Sequence, residues 1–199
     1  MHPDPHFRWR DRDAMRRMVR EVAFGALFAG TPDGPRVVHA PAVWLDDSTL
    51  GLHVSNGNGI ARWLDGATGL FVVQGPDGYV SPDWYGLGPA QVPTWNYVAV
   101  ELEGTLRRMS REALLDQIDR LGAEQEARLA KMPWTRAKLD PAALEAMLGA
   151  ITGYRLEITA WRGTCKLGQN KADSARLAAA DALAASGRPA IATWMRALA

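Results

Sequence analysis

Sulfur and histidine are scarce in this chain of 199 residues. It contains one cysteine, Cys165, and four histidines, of which His39 and His53 fall in predicted strands and His2 and His6 fall near the N-terminus. A single thiol excludes an internal disulfide and a zinc site made of several thiolates. The histidine spacing matches no metal site, so we expect no bound metal. Lys166 would lower the pKa of a neighbouring thiolate, but the usual state of a lone cysteine is an unreactive thiol.

The sequence also lacks an excess of charge and a long apolar run. Its formal net charge is +1, from 23 basic and 22 acidic residues, which gives no general attraction to nucleic acid or to an acidic membrane surface. No stretch approaches the roughly 20 apolar residues that a membrane helix needs, and no apolar leader follows Met1. With a single cysteine, these features predict a soluble cytoplasmic protein. Only residues 1–20 are locally basic. Their charged side chains either form the solvent-exposed face of a helix or contact phosphates.

Hydrophobic periodicity predicts several short strands with few helices between them. A first helix should follow Asp11 and end near Ala23. Strands are expected at 24–29, 36–45, 49–54, 70–74, 79–81, 97–104 and 154–161, with turns that include 75–78 and 162–164. Further helices are expected in an insert at about 110–150 and in a C-terminal appendage at about 172–199. Close spacing of the strands favours an antiparallel barrel, mainly β with α, in one domain over 1–199.

Three polar segments are candidates for ligand contact. Trp95, Asn96 and Tyr97 begin a strand, where buried polar groups need partners. The loop 55–59 lies between a strand and a short helix, so its backbone amides suit a phosphate that Arg62 would neutralise, or the loop is a simple connection rich in Gly and Asn. The turn 166–171 concentrates cations and amides, which suits an anion or an electron-rich ring, or a solvated helix start.

Four separated segments resemble one known family in their order and approximate spacing. They are Gln74–Pro76, Tyr79–Pro82 with Trp84 and Tyr85, Val92–Tyr97 and Lys166–Lys171. On these segments the chain resembles the PaiB-like, FMN-binding negative transcriptional regulators over nearly its whole length. It departs from the family pattern at Cys165, Gly168 and Glu101, and in the loop 55–59.

The resemblance implies a split β-barrel that works as a homodimer with FMN at the subunit interface. It places His39, Ala40, Pro41 and Ala42 along the edge of the flavin ring. It also implies that the ribityl phosphate is surrounded by His53, Val54, Ser55, Asn56, Asn58 and Arg62. The remaining implied contacts are Trp95, Asn96 and Tyr97 in the wall of the site and Lys166, Gln169, Asn170 and Lys171 approaching it from the partner subunit. Lys166 is the candidate for the cation beside the N1 and O2 edge of the ring.

The resemblance leaves the biochemical role open. One hypothesis is an FMN-dependent oxidoreductase acting on a small molecule, or a flavin-responsive transcriptional regulator. A second is a regulator that binds DNA through the basic N-terminal region or the helical insert, with FMN structural or absent, although the sequence shows no helix-turn-helix motif. A third keeps the fold but binds haem through His39 or His53. No catalytic acid, base or nucleophile can be named from the sequence.

Overall fold

Six of the described β-strands form one closed ring, and a short further strand pairs with one of them. A computed structural model describes residues 3–198, and His2 lies outside the described residues. Seven strands occur within the described range: β1 (Arg8–Trp9), β2 (Phe24–Thr31), β3 (Gly34–Trp44), β4 (Thr49–Ser55), β5 (Thr68–Val80), β6 (Thr94–Arg108) and β7 (Ile151–Lys166). Their order is β1-β7-β4-β3-β2-β5-β6, and β7 also pairs with β6. β2 pairs antiparallel with β3 and β5, and β4 pairs antiparallel with β3 and β7. The predicted barrel is therefore confirmed.

Helices begin and end where the local sequence predicts. They are α1 (Arg12–Val22), α2 (Arg111–Glu126), α3 (Pro141–Gly149), α4 (Asp173–Ala185) and α5 (Pro189–Arg196). The Ser110 hydroxyl accepts a hydrogen bond from the Ala113 amide at the start of α2, and Asp140 caps α3 in the same way. Single-turn 3-10 helices lie at Pro5–Phe7, Ala61–Trp63, Pro82–Tyr85 and Arg136–Lys138. Within residues 3–198, no helix is long and apolar enough to cross a membrane.

The chain forms two compact units. Unit A contains the residues up to Met18, Gln74–Val100 and the residues from Arg162 onward, and unit B contains Val19–Val73 and Glu101–Trp161. Alternate strand residues fill the core of each unit, because successive side chains of a strand point to opposite faces. Fully buried strand residues are Leu27, Leu52, Phe71, Leu102 and Leu156 in unit B and Val98 in unit A, where Leu167 and Met195 outside the strands are also fully buried. The expectation of a single domain over 1–199 stays a prediction.

Two predicted turns are wrong. Residues 75–78 lie inside the continuous strand β5, and residues 162–164 lie inside β7. Gly78 serves close packing instead, since a Cβ there would lie 2.9 Å from Leu183 Cδ2. Gly163 has the same role, since its Cβ would lie 2.7 Å from Met15 Sδ. Pro76 lies beyond the part of β5 that pairs with β2, where a residue without an N–H is tolerated.

Candidate functional site

Two of the predicted site segments meet in one cavity of unit A. Strand β6 contributes Thr94 and Asn96, and the turn that follows β7 contributes Lys166, Asn170 and Lys171. The cavity has a volume of about 280 Å³, and its other lining residues are Asp4, Phe7, Tyr85, Gln91, Val92 and Gly168. Gly168 has a φ of 84°, a left-handed conformation that glycine adopts at little cost, and it allows the turn to close. Folding thus brings together residues more than 60 positions apart in the sequence.

Both lysines of this cavity have polar partners, and the Asp4 carboxylate lines the same cavity. Lys166 Nζ donates to Thr94 Oγ1 and to the Trp95 carbonyl at 3.0 Å, and it lies 5.8 Å from the centre of the Phe7 ring. Lys171 Nζ donates to Gln91 Oε1 at 2.5 Å and lies 5.5 Å from the Tyr85 ring. Among residues 3–198, neither ammonium group forms an ion pair. Burial lowers the pKa of Lys166, because a low dielectric disfavours its charge.

Asn96 presents a buried polar atom that lacks a partner. Only 1% of the residue is exposed, and its Nδ2 donates to Met195 Sδ at 3.4 Å. Its Oδ1 has no hydrogen-bond partner among the described residues, which costs roughly 1–3 kcal/mol in a buried site. Burial raises the pKa of the neighbouring Tyr85 phenol, and Asn96 opposes that shift. The cavity therefore holds a buried amide oxygen without a donor among the described residues, on a side chain that contacts the Tyr85 phenol.

Helices α4 and α5 support Asn96 from behind. Arg176 of α4 is 1% exposed, and its guanidinium donates to the Met195 carbonyl of α5 and to Asp173 Oδ1. This interaction joins the two helices beside the methionine whose sulfur contacts Asn96. The C-terminal helices thus fix the wall of the cavity.

The other predicted residues of unit A do not line the cavity. Because a strand alternates its faces, Trp95 and Tyr97 point away from the side that carries Asn96. The Trp95 indole donates to Asp77 Oδ1 at 2.9 Å, and its ring meets Tyr79 edge-on. Gln169 stabilises the turn, since its Oε1 accepts from the Leu167 amide and its Nε2 donates to the Cys165 and His6 carbonyls. Burial raises the pKa of Cys165 to about 12, which keeps it a neutral thiol.

Most polar side chains of the loop 55–59 form hydrogen bonds with other groups of unit B. Ser55 Oγ accepts from the Gly57 amide, and Asn58 Oδ1 accepts from the Ile60 amide. Asn56 Nδ2 donates to the Gly149 carbonyl, while its Oδ1 accepts from Thr152 Oγ1 at 2.6 Å. These side chains shape the loop rather than project from it.

The charged group that follows this loop remains accessible. Arg62 is exposed and stacks over Trp63 at 5.2 Å from the ring centre. It forms no ion pair within the described part of the chain. Of the predicted phosphate residues, Arg62 is therefore the one whose charge can meet an anion.

His53 is half-buried and contacts the helical insert, while the adjacent Val54 is a core residue. Gln117 of α2 is fully buried, and its Nε2 lies 3.4 Å from His53 Nδ1. Burial lowers the pKa of His53, with the Gln117 contact opposing the shift. The imidazole is thus neutral near neutral pH, and Gln117 contacts one of its two ring nitrogens.

The predicted segment 39–42 lies on an outward-facing sheet surface of unit B. Ala40 and Ala42 are buried, whereas His39 and Pro41 face outward. Opposite them on β2 are Ala26 and Phe24, and Phe28 pairs with Val37. Phe24, Phe28 and Val37 are 51%, 40% and 45% exposed, and His39 stacks on Phe24. We call Phe24, Phe28, Val37, His39 and Pro41 the β2–β3 patch.

Several residues at these sites were not predicted from the sequence. Phe7, Gln91 and Gln117 belong to segments that carried no motif, and their positions depend on contacts between distant segments. Tyr85 and Thr94 lie within segments that carry the family resemblance, which was the available signal. No three histidine, cysteine or acidic side chains within residues 3–198 come together as metal ligands would.

The chemistry of the unit A cavity suits an electron-rich heterocycle. Two ammonium groups that form no ion pair among the described residues favour an anion or carbonyl oxygens, and the unpaired Asn96 Oδ1 favours an N–H donor. Phe7 and Tyr85 add aromatic walls. A flavin ring offers carbonyl oxygens and an N–H along one edge, so these residues fit that group.

Comparisons with known proteins agree with this chemistry. Residues 1–160 match the family model described as "Putative FMN-binding domain". The chain is 26% identical over 175 residues to the Protease synthase and sporulation protein PAI 2 of Bacillus subtilis (strain 168), covering 86% of this chain and 83% of that protein.

Two solved structures share the fold. The FAD and haem binding protein from Mycobacterium smegmatis superposes with a TM-score of 0.59 at 19% identity, over 84% of this chain and 78% of that one. The flavocytochrome Anf3 from Azotobacter vinelandii gives a TM-score of 0.58 at 15% identity, over 83% and 72% of the two chains. At these identities the likeness establishes the split-barrel fold.

Proposed function

The chain belongs to the PaiB-like family of FMN-binding split-barrel proteins, and from this we propose that it works as a homodimeric FMN-dependent oxidoreductase. Bound FMN supplies a ring that accepts and returns electrons. The observation that carries the proposal is the half-buried Lys166, a cation without a carboxylate partner in the same cavity as an unpaired amide oxygen. A cation in that position favours an electron-rich, negatively charged partner.

Each group of the unit A cavity has a definite part in this proposal. Lys166 donates to the carbonyl edge of the flavin and stabilises the negative charge that the ring gains on reduction. Asn96 Oδ1 accepts the ring N–H and so orients the ring. Phe7 and Tyr85 provide apolar contact and keep water from the edge. These are the groups that would tune the cofactor toward redox chemistry.

The cofactor phosphate is assigned to unit B. Arg62 provides an accessible positive charge, and the loop 55–59 provides backbone amides at the start of a helical turn. The neutral His53 contributes a ring N–H rather than a charge. We assign Ser55, Asn56 and Asn58 a role in holding the shape of the loop, because Ser55 and Asn58 bond to backbone amides at residues 57 and 60 and Asn56 bonds to Gly149 and Thr152.

Two observations support the homodimer. The unit A cavity, at about 280 Å³, lies just below the roughly 300–1,000 Å³ range of small-molecule sites. One protomer's cavity therefore suits part of a cofactor, and the proposed partner subunit contributes the rest. The β2–β3 patch offers contiguous exposed apolar side chains, which favour burial against a second copy. It also carries His39 and Pro41, the segment that the resemblance assigns to the flavin edge.

The test is a flavin titration of the purified protein with a lysine variant. Wild-type protein should bind FMN with the absorbance bands of a flavoprotein. Lys166→Met should weaken FMN binding by roughly tenfold or more, about 1.4 kcal/mol, and should lower the reduction potential, because the reduced anionic ring loses its cation. Lys138→Met, an exposed lysine of unit B, is the matched control and should behave as wild type.

Two outcomes would contradict different parts of the proposal. Failure of wild-type protein to bind FMN would reject the function as a whole. Normal binding with an unchanged potential in Lys166→Met would reject only the role of Lys166. A Soret band after haem addition that is lost in His39→Ala or His53→Ala would support the haem hypothesis.

DNA binding stays a prediction and has its own measurement. If the basic N-terminal region contacts phosphates, affinity for duplex DNA should fall steeply with salt and should be lost in the double variant Arg16→Ala and Arg17→Ala. Absence of binding at low salt would remove the DNA-binding hypothesis.

A further inference from the structure

The helical insert of unit B forms a second, larger cavity that is partly open to solvent. It lies between α2, the segment 133–139 and the start of α3, and its volume is about 760 Å³. All of its lining residues fall between Ile118 and Leu144, and none of them belongs to the predicted flavin site. Its size falls well inside the roughly 300–1,000 Å³ range of small-molecule sites.

Polar contacts tie the connection between α2 and α3 to α2 at two places. Glu126 Oε2 at the end of α2 accepts from Lys131 Nζ and from the Trp134 amide, and these donors lower the pKa of Glu126. Arg136 Nε donates to both carboxylate oxygens of Asp119, at 2.8 and 2.9 Å. Lys138 Nζ donates to the Pro133 carbonyl. The connection between α2 and α3 is therefore held against α2 at Glu126 and at Asp119.

The cavity wall is apolar, and its charge is balanced. Small residues of α2 form the floor, and a Cβ added at Gly122 would meet nothing within 4 Å. The Trp134 indole is 42% exposed and supplies a flat surface on the opposite side. Asp119 and Arg136 are the two charged lining residues, and they neutralise each other. An occupant with a net charge would gain nothing from this wall, whereas an uncharged apolar one would gain from burial.

We propose that the helical insert is a binding site for a small, uncharged, flat apolar molecule, which lies between the Gly122 floor and the Trp134 indole. The site rests on the geometry of the insert and not on the proposed flavin function. It adds a second ligand to the protein, of a different chemical class from the flavin.

The experiment uses the full chain, with FMN added in excess, and the uncharged fluorescent probe N-phenyl-1-naphthylamine. Wild-type protein should bind the probe saturably, with one molecule per chain. Gly122→Leu fills the cavity with a side chain that has free space and a better helix propensity, so it should fold normally and bind the probe at least tenfold more weakly. Ala146→Leu, an exposed position of α3 outside the cavity, is the matched control and should bind as wild type does.

Two tryptophan variants locate the bound probe. Energy transfer from tryptophan to the probe should drop in Trp134→Phe, which keeps an aromatic wall. It should be unchanged in Trp63→Phe, whose indole is similarly exposed at 38% but lies outside the cavity. An equal drop in both variants would contradict the proposed position.

The remaining outcomes either support or overturn the proposal. Absence of saturable binding, or binding of equal strength in Gly122→Leu and wild type, would overturn it. If Gly122→Leu is poorly folded by circular dichroism, Ala123→Phe, which fills the same floor, replaces it with the same expected result. Loss of the dimer in either filled variant, with probe binding intact, would assign the cavity to a second copy of the chain. Failure of FMN to bind would leave these probe results interpretable, so the two proposals fail separately.

Discussion

At the scale of single residues, the informative groups are polar atoms whose partners the chain does not supply. Lys166 has hydrogen-bond acceptors but no carboxylate partner, and Asn96 Oδ1 has no donor within the described residues. Buried polar groups are normally satisfied, because an unmade hydrogen bond costs free energy. Asn96 Oδ1 is one such unmade bond, and it shares a cavity with Lys166, so we propose this cavity as the place where a ligand completes the contacts.

His53 should make stability depend on pH. Burial lowers its pKa below the unfolded value of 6.5, so between the two pKa values the unfolded chain binds more protons. The contribution of His53 is therefore fully present above pH 6.5 and is lost as the pH falls through the folded pKa. We expect the free energy of unfolding to decrease in this window in wild type and to decrease less in His53→Gln.

Urea denaturation on both sides of pH 6.5 provides the measurement. An unchanged pH dependence in His53→Gln would show that the buried environment of His53 does not control this behaviour.

At the scale of elements, β6 and β7 close the ring through an unusually close approach. A Cβ added at Gly104 would lie 2.1 Å from the Glu157 carbonyl oxygen, a backbone atom that cannot move independently. We expect Gly104→Ala to lower the free energy of unfolding by about 3 kcal/mol, the upper part of the usual range for overpacking.

Gly30 provides the matched control for this effect. It also lies in a strand, β2, but a Cβ there would meet nothing within 4 Å. Gly30→Ala should change stability by less than about 0.5 kcal/mol. Chemical denaturation of both variants tests the prediction, and equal effects would show that the contact at Gly104 is not what limits closure.

The elements also show where local sequence patterns succeed and fail. Helices α2 and α3 lie in the predicted insert and begin directly after Ser110 and Asp140, because an N-cap acts on amides two or three residues away. The glycines in 75–78 and at 163 indicated turns, but they lie in long strands. Their lack of a side chain accommodates Leu183 and Met15, which come from distant parts of the sequence. A local pattern contains no information about such neighbours.

At the scale of the whole molecule, the proposed dimer should depend on the β2–β3 patch. Phe28→Asp places a charge beside Val37, its cross-strand neighbour, so burial of the patch against a second copy would become costly. We expect this variant to be monomeric by light scattering and to bind FMN more weakly than wild type.

Met147→Asp is the control for the dimer prediction. Met147 is 58% exposed on α3, outside the patch, and its substitution should leave the oligomeric state and the FMN affinity unchanged. A dimeric Phe28→Asp variant would show that the patch does not form the interface.

The sequence by itself determined the antiparallel barrel, the positions of the helices and the family, because strand alternation, helix caps and motif residues act locally or are read directly. The tertiary structure decided which polar residues share a cavity. It placed Asn96 beside Lys166 and Lys171 and turned Trp95 and Tyr97 away from them. It also engaged the Asn56 side chain in hydrogen bonds with Gly149 and Thr152 of unit B. These outcomes depend on strand pairing and helix packing between residues far apart in the chain, which only the folded arrangement of the backbone specifies.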